Sequence, residues 1–304
     1  MIDISVVIVN YNVKELLINS LLSIEKYSKS ANSYEIIVVD NDSKDGSVEI
    51  ILSQFPKVIL IDNKYNAGFP KANNQAFEIA KGNYIFMLNP DTEFIDDALG
   101  NLFQFMETNQ DVSIVGPGLL NTDGSHQQSV WRFPTLFNIF CEMHYLRAFL
   151  KHKNYNDKNL QKPLIADSLS GAAIFFRKEL ITQIGMLDET MFWIEDVEFC
   201  YRATQKGLKC IYLSKVKIIH HVGQSAKKNY KISLSNQIFN KIKYFKKHHN
   251  PLSYIAVVIL SFYHVLFKLI VFALLSPFSV TYRRKAIAYA YTLPKVFNPP
   301  KGIA

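Results

Sequence analysis

Apolar β-branched runs alternate with stretches of helical spacing through the N-terminal third of the chain, the rhythm of βαβ units on a largely parallel sheet. Residues 4–9 read as a buried strand, and residues 15–27 as a helix capped by Asn12, with Leu16, Leu17, Ser20 and Ile24 at helical spacing. Residues 35–39, 58–61 and 84–88 supply three more strands, and a helix over 72–80 is expected to stop at Gly82. Polar residues collect where the strands end, as Asn10-Tyr11-Asn12, Asp40-Asn41-Asp42 and Asn89-Pro90-Asp91. Ligands of open α/β sheets bind beyond the carboxyl ends of the strands, so these clusters are expected to meet in one crevice.

Periodicity weakens over residues 121–165, which contain His126-Gln127-Gln128 and the aromatic stretch 131–140, and a loop-rich, mobile region is expected there. Beyond it the pattern predicts a strand at 173–176, a helix at 178–184, a helix at 197–206 ended by Gly207, and strands at 211–212 and 217–219.

The C-terminal pattern is different. Ile238, Phe239, Ile242 and Phe245 recur at helical spacing with Lys241, Lys243, Lys246 and Lys247 between them, a basic amphipathic helix expected to lie on anionic lipid. Residues 254–275 then form an apolar run of 22, long enough for a hydrocarbon core of about 30 Å, but His264 and Lys268 interrupt it and share a face with Ser261. Lys246-Lys247 and Arg283-Arg284-Lys285 flank both ends, which argues against one clean crossing and leaves a span, an in-plane helix or a buried C-terminal helix as the readings.

Charge sharpens this picture. The net charge of +8 conceals an acidic body, with 21 Lys and Arg against 26 Asp and Glu over residues 1–225, and a basic tail, with 13 against none over 226–304. Such a tail suits nucleic acid or an anionic membrane, and its apolar content selects the membrane and excludes nucleic acid. We expect a catalytic body (1–225) and a membrane-attachment region (226–304), one large domain plus an appendage. Cys141, Cys200 and Cys210 show no metal-ligand spacing, which favours a reducing compartment. The N-terminus has no basic segment or cleavage site of a secretory signal, so the body is expected at the cytoplasmic face of the membrane.

Candidate chemistry lies at the strand ends and in one acidic pair. Asn89-Pro90-Asp91 follows an apolar strand, where a carboxylate is either a hard ligand for Mg²⁺ or Mn²⁺ or part of a turn. The run from Asp40 to Ser47 is either a nucleotide-recognition loop or a helix cap. Asn66, Gly68 and Lys71 place amides and a cation near a helix N-terminus, favourable for phosphate. Glu195-Asp196 follows Met191-Phe192-Trp193, and Glu198 is the last acid of the chain.

The order of these pieces resembles the family 2 glycosyltransferases of GT-A fold, in particular the bacterial rhamnosyltransferase-like branch. The resemblance rests on SVVIVNYN (5–12), VVDNDSKDGS (38–47), NAGFPKANN (66–74), FMLNPDT (86–92), the segment 170–202 and HHVGQS (220–225). It implies a Rossmann-like sheet flanked by helices and an inverting enzyme that moves a sugar from a nucleotide-diphosphate sugar to a saccharide or lipid-linked saccharide acceptor. Asp40 would contact the nucleotide base, with Asn10, Asp42, Asn66, Gly68, Lys71, Asn89 and Gly171 around the donor. Asp91 would hold the divalent cation, although Asn89 stands where the family's Asp-x-Asp motif has its first carboxylate. His220 or His221 would join it. Asp196 would be the general base, with a cap on the helix beginning at Val197 as the alternative, and Glu195 and Trp193 would face the acceptor, with loop support and core packing as theirs. The substitution at Asn89 keeps a catalytically silent membrane scaffold as a second reading. A nucleotidyltransferase would require a glycine-rich loop after the first strand, which Asn10-Tyr11-Asn12 is not.

Overall fold

The computed structural model describes residues 2–30, 33–143, 162–221 and 230–300. The N-terminal half runs β1 (Ile4–Asn10), α1 (Lys14–Tyr27), β2 (Tyr34–Asn41), α2 (Ser47–Gln54), β3 (Ile59–Asn63), α3 (Phe69–Ile79), β4 (Tyr84–Leu88), β5 (Thr92–Phe94), α4 (Ala98–Thr108) and β6 (Val112–Leu120). There follow β7 (His126–Gln127), β8 (Val130–Trp131), α5 (Leu136–Met143), β9 (Leu164–Ile165), β10 (Ser168–Leu169), β11 (Ala173–Arg177), α6 (Leu180–Ile184), α7 (Glu195–Gln205) and β12 (Lys209–His220). Three helices close the chain, α8 (Tyr230–His248), α9 (Pro251–Leu275) and α10 (Val280–Thr292).

Among the described residues one sheet has the order β3-β2-β1-β4-β11-β6-β12-β5, with β7 on β6 and β9 on β12. The first four strands are parallel, so their carboxyl ends share one edge, with Asn10 opposite Asp40 and Asp40 opposite Asp62. Every residue of β1 is buried because both faces of the sheet are covered. Ile4, Val6 and Ile8 meet α1, α2 and α4 on one face, while Val7 and Val9 belong to the core of α3, α6 and α7 on the other.

Several local expectations are corrected. Asn12 does not cap α1: it adopts φ +54 and its Oδ1 accepts the Lys44 N–H at 2.7 Å, tying the β1 loop to the β2 loop. Gly82 does not stop α3, which ends at Ile79. It lies against β1, where a Cβ would stand 2.5 Å from the Ser5 nitrogen. The two short strands expected at 211–212 and 217–219 are one strand, β12, with a register shift between Leu213 and Lys217. Of the region expected to be mobile, residues 121–143 and 162–165 form β7, β8, α5 and β9, and residues 144–161 lie outside the described residues.

The largest correction concerns α8. Its apolar residues Ile238, Phe239, Ile242 and Phe245 are buried in one cluster with Met191 and Ile194, just before α7, and with Val257 and Val258 of α9. Burying each such side chain contributes roughly 1.5–3 kcal/mol, whereas a lysine near an anionic surface gains about 1 kcal/mol. Packing therefore wins over lipid for this helix. The outward apolar surface belongs instead to α9, where Leu252, Ile255, Ile259, Tyr263, Phe267, Ile270 and Leu274 form one exposed stripe. Its opposite face, including Ser261 and Lys268, is buried. The polar stripe read in the sequence thus faces protein and the apolar stripe faces out.

Candidate active site

The end of β2 organises the first corner. Asp40 is fully buried, its Oδ2 accepting from Asn10 Nδ2 at 2.7 Å and its Oδ1 from the Ser43 N–H at 2.8 Å. Asn10 Oδ1 is buried without a partner among the described residues, an acceptor left over in the predicted crevice. Asp42 (φ +66) pairs with Lys44 at the surface. Asn66 Oδ1 accepts the Gly68 N–H at 2.9 Å and so shapes the turn into α3, while Lys71 lies 5.7 Å from the centre of the Tyr65 ring. These residues sit on the same sheet edge, on the β3 side.

The second corner distinguishes the two histidines. His220 Nε2 is 3.2 Å from Asp91 Oδ1 and 3.4 Å from Asn89 Nδ2. Its other ring nitrogen, Nδ1, is 2.7 Å from Gln127 Oε1. The Gln127 amide is oriented by its nitrogen, which donates to Asn121 Oδ1 and to the His220 carbonyl, so its oxygen faces the ring. An oxygen can only accept, so Nδ1 carries a hydrogen, and with the ring neutral it is the Nε2 lone pair that faces Asp91. That is the outer support typical of a metal-binding histidine. His221 faces away, with Nε2 3.0 Å from Glu93 Oε1 and Nδ1 3.1 Å from Thr122 Oγ1.

With the ring neutral, a carboxylate oxygen and an imidazole nitrogen 3.2 Å apart are two acceptors, which would suit a divalent cation bound to both. No group of three His, Cys, Asp or Glu side chains that could hold a metal ion is found among the described residues; a cation held by Asp91 and His220 would take its other ligands from substrate phosphates and water. The rest of the matching stretch 220–225 after His221 lies outside the described residues.

The acidic pair opens α7. Asp196 is in the first turn, one residue past the N-terminus, and Ile194 is the N-cap. Its Oδ2 accepts the Gly171 N–H and its Oδ1 the Val197 N–H, each at 2.7 Å. A Cβ on Gly171 would lie 3.1 Å from Asp196 Oδ2, so a glycine allows this approach. Next to Gly171, the Ala172 carbonyl accepts the Asn89 N–H at 2.9 Å. One short backbone path therefore joins the metal corner to Asp196 across 105 residues of sequence.

Burial raises the proton affinity of both carboxyls. Glu195 is pushed up to about 8, first by burial and then by the Asp196 charge, and its Oε2 has no partner among the described residues. Asp196 is also raised by burial, against the pull of the Gly171 and Val197 N–H groups. The Asp196 charge therefore helps to hold the proton on Glu195. Arg202 is not part of the site: its Nε lies 2.9 Å from Glu198 Oε2, and its remaining donors meet the carbonyls of residues 184–186.

Trp193 stands on the rim, 44% exposed, with φ +84. It is not core. The loop before it is pinned from two sides: Asn74, whose amide the sequence offers to phosphate at the start of α3, instead exchanges hydrogen bonds with Leu187 at 3.0 Å, and α8 side chains that the sequence does not mark as site residues hold residues 188–192. Gln127 was also missed, though His126-Gln127-Gln128 stood out in the sequence. No local pattern tells that its amide will meet a histidine 93 residues later.

Known proteins resemble this chain in sequence and in fold. A low-salt glycan biosynthesis hexosyltransferase of Haloferax volcanii is 28% identical over 79% of this chain and 77% of its own length. An N-acetylglucosaminyl-diphospho-decaprenol L-rhamnosyltransferase of Mycobacterium tuberculosis is 24% identical over 62% of this chain and 67% of its own. Among solved structures, a mannosyltransferase of Pyrobaculum calidifontis in complex with GDP-Man and Mn²⁺ superposes with a TM-score of 0.59 at 16% identity, over 97% of this chain and 87% of that one. It shares the GT-A fold. The glycosyl transferase family 2 pattern matches residues 5–184, from β1 to the end of α6, and the chain belongs to that family of glycosyltransferases.

Proposed function

We propose that the protein is an inverting glycosyltransferase that moves a sugar, in our reading rhamnose or another hexose, from a nucleotide-diphosphate sugar to a lipid-linked saccharide of the cell envelope. The observation that carries this is Asp196, aimed by two backbone N–H groups and tied through Gly171, Ala172 and Asn89 to the Asp91–His220 corner. A sugar hydroxyl is a poor nucleophile near neutral pH. Asp196 takes its proton while the oxygen attacks the anomeric carbon, an effect worth roughly 10²–10⁴ in rate. The bond from that carbon to the diphosphate breaks on the opposite face, which inverts the centre in one displacement.

The remaining residues bind and orient. Asp40, held by Asn10 and Ser43, faces the nucleotide base, Asp42 lies beside it, and Asn66, Gly68 and Lys71 receive phosphate at the start of α3. Asp91 and His220 hold a divalent cation, Mg²⁺ or Mn²⁺, which when bound neutralises the departing diphosphate. Glu195 and Trp193 contact the acceptor. His220 makes up for the missing carboxylate at Asn89, which weakens the case for a silent scaffold.

A lipid-borne acceptor accords with the diphospho-decaprenol in the name of the mycobacterial relative and with the C-terminal helices. Pro251–Phe278 is long and apolar enough to cross a membrane by length and composition. The one-sided exposure of α9 favours an in-plane anchor, with the exposed stripe in lipid and the basic residues 283–285 beside it. We place the body, residues 1–225, on the cytoplasmic face, where nucleotide-sugars are available.

The test is a panel of nucleotide-sugars offered to purified protein with Mn²⁺ or Mg²⁺ and an N-acetylglucosaminyl-diphospho-lipid or extracted membrane lipids. We expect turnover of one donor, lost with chelator. No turnover together with no binding of any nucleoside diphosphate would overturn the enzyme and leave the scaffold.

A further inference from the structure

The sequence reads helix α8 as lipid-facing, but three of its polar side chains, Asn240, Lys243 and Lys247, reach the body of the protein. Asn240 Nδ2 donates to the Phe192 carbonyl, Lys243 Nζ to the Thr190 carbonyl at 2.8 Å, and Lys247 Nζ to Asp188 Oδ2 at 2.6 Å. Positions 240, 243 and 247 fall on one helix face, so three donors run along the loop that leads into Trp193. Lys247 also reaches Glu198 Oε1 at 2.8 Å, and His248 Nε2 lies 2.9 Å from the same oxygen. Glu198 is fully buried on α7, one turn beyond Glu195 and Asp196. The loop and the start of α7 are thus held from one helix.

What this grip maintains is an unusual conformation. Trp193 has φ +84, a region that bulky L residues occupy only when their surroundings enforce it. The enforcing contacts are visible on both sides. Asn240 fixes the carbonyl of Phe192, while Met191 and Ile194 are buried in the cluster that contains Ile238, Phe239 and Ile242 of α8. Held between these anchors, the indole is turned outward instead of joining the core. Asn240 is itself only 1% exposed, and its Oδ1 has no partner among the described residues, so its donor side is the one that is engaged.

We infer that α8 forms the back of the acceptor side of the active site, with Asn240 and Lys243 as positioning residues that hold Trp193 outward beside the Glu195-Asp196 pair. An outward aromatic plane next to a carboxylate base is the surface on which the apolar face of an acceptor sugar stacks. The acceptor role rests on the glycosyl-transfer reading above; the positioning of Trp193 does not. The C-terminal region is then both anchor and wall, because α8 packs on the loop on one side and on α9 on the other.

The test uses full-length protein carrying Trp131→Phe, which leaves Trp193 as the only tryptophan. Asn240→Asp keeps the shape and removes the donor, and Lys243→Met removes the second grip from a partly exposed position. We expect each to red-shift Trp193 emission and raise its quenching by acrylamide, with the melting transition still cooperative and the affinities for UDP, GDP and dTDP unchanged. With the donor and acceptor found active in the screen, kcat/KM for the acceptor falls about tenfold to a hundredfold while KM for the donor stays constant. Trp193 emission and quenching identical to the parent in both variants would overturn the inference, as would a parallel loss of nucleotide affinity. If no donor turns over in the parent, the glycosyl-transfer reading fails, and the fluorescence still decides the role of α8. Should Asn240→Asp fail to fold, Lys243→Met carries the same measurement.

Discussion

Replacing Asp196 by asparagine exchanges a carboxylate oxygen for an amide nitrogen where both oxygens already accept from the backbone, from Gly171 and Val197 at 2.7 Å each. One of those N–H groups then faces an NH₂ group and loses its acceptor, which costs about 1–3 kcal/mol of stability. The larger effect is chemical. Loss of a positioned base removes about 10²–10⁴ in turnover, or roughly 3–5 kcal/mol of barrier. The assay is turnover against pH with saturating donor, alongside melting and nucleoside-diphosphate affinity, which separate lost chemistry from lost structure. Burial raises Asp196 above the ordinary aspartate range, and only its ionised form accepts a proton, so wild-type turnover climbs with pH as it deprotonates. That limb disappears in the variant. Glu195→Gln is the companion: burial and then the Asp196 charge push Glu195 up to about 8, so its neutral isostere keeps the charge of the site at pH 7 and leaves the Asp196 limb of the profile in place. A raised carboxyl contributes stability below its ordinary value that is lost as pH rises through about 8, and Glu195→Gln abolishes this alkaline loss. Turnover of Asp196→Asn within tenfold of wild type, with the pH limb intact, would refute the assignment and place the base elsewhere.

Further outcomes follow from other contacts. Gln127→Ala frees the Nδ1 side of His220 and should weaken Mn²⁺ binding about 10–100-fold, read by titration, with nucleotide affinity in the absence of metal unchanged. Glu198→Ala leaves Arg202, Lys247 and His248 around an uncompensated site and should destabilise the protein by about 3–5 kcal/mol in denaturant unfolding. Asp188 is held down to about 2 because Lys247 and Thr190 outweigh burial; a lowered carboxyl contributes stability above its ordinary value of 3.8 that is lost as pH falls toward 2, so Asp188→Asn should flatten the acid limb of a melting profile. Gly82→Ala drives a Cβ to 2.5 Å from the Ser5 backbone, and a loss of about 3 kcal/mol or more is expected from overpacking β1 against β4.

The parallel strands and the polar cluster at their ends were legible because burial and turn signals are local. A strand covered on both faces must be apolar throughout, and its chain must turn polar where it leaves the sheet. The resemblance in motif order supplied Asp91 and Asp196. It did not choose between His220 and His221, since neighbouring residues of an extended chain point to opposite sides and only the pairing of β12 with β5, His220 opposite Thr92, turns one of them to Asp91. Nor did it expose the Gly171 contact, which depends on β11 entering antiparallel beside β4.

Helix α8 marks the division most clearly. By itself the sequence determined that residues 238–245 form a helix with one apolar face and that the chain turns wholly basic after Glu198. An amphipathic pattern states that a face must be covered but not by what, because lipid, a partner and the protein's own body all satisfy the same apolar demand. Tertiary structure decided that Met191, Ile194 and α9 cover it, that Asn240, Lys243 and Lys247 grip the loop before the acidic pair, and that α9 keeps the exposed apolar stripe. Those choices depend on which surfaces meet across the whole fold, a property of the assembled molecule that no window of sequence contains.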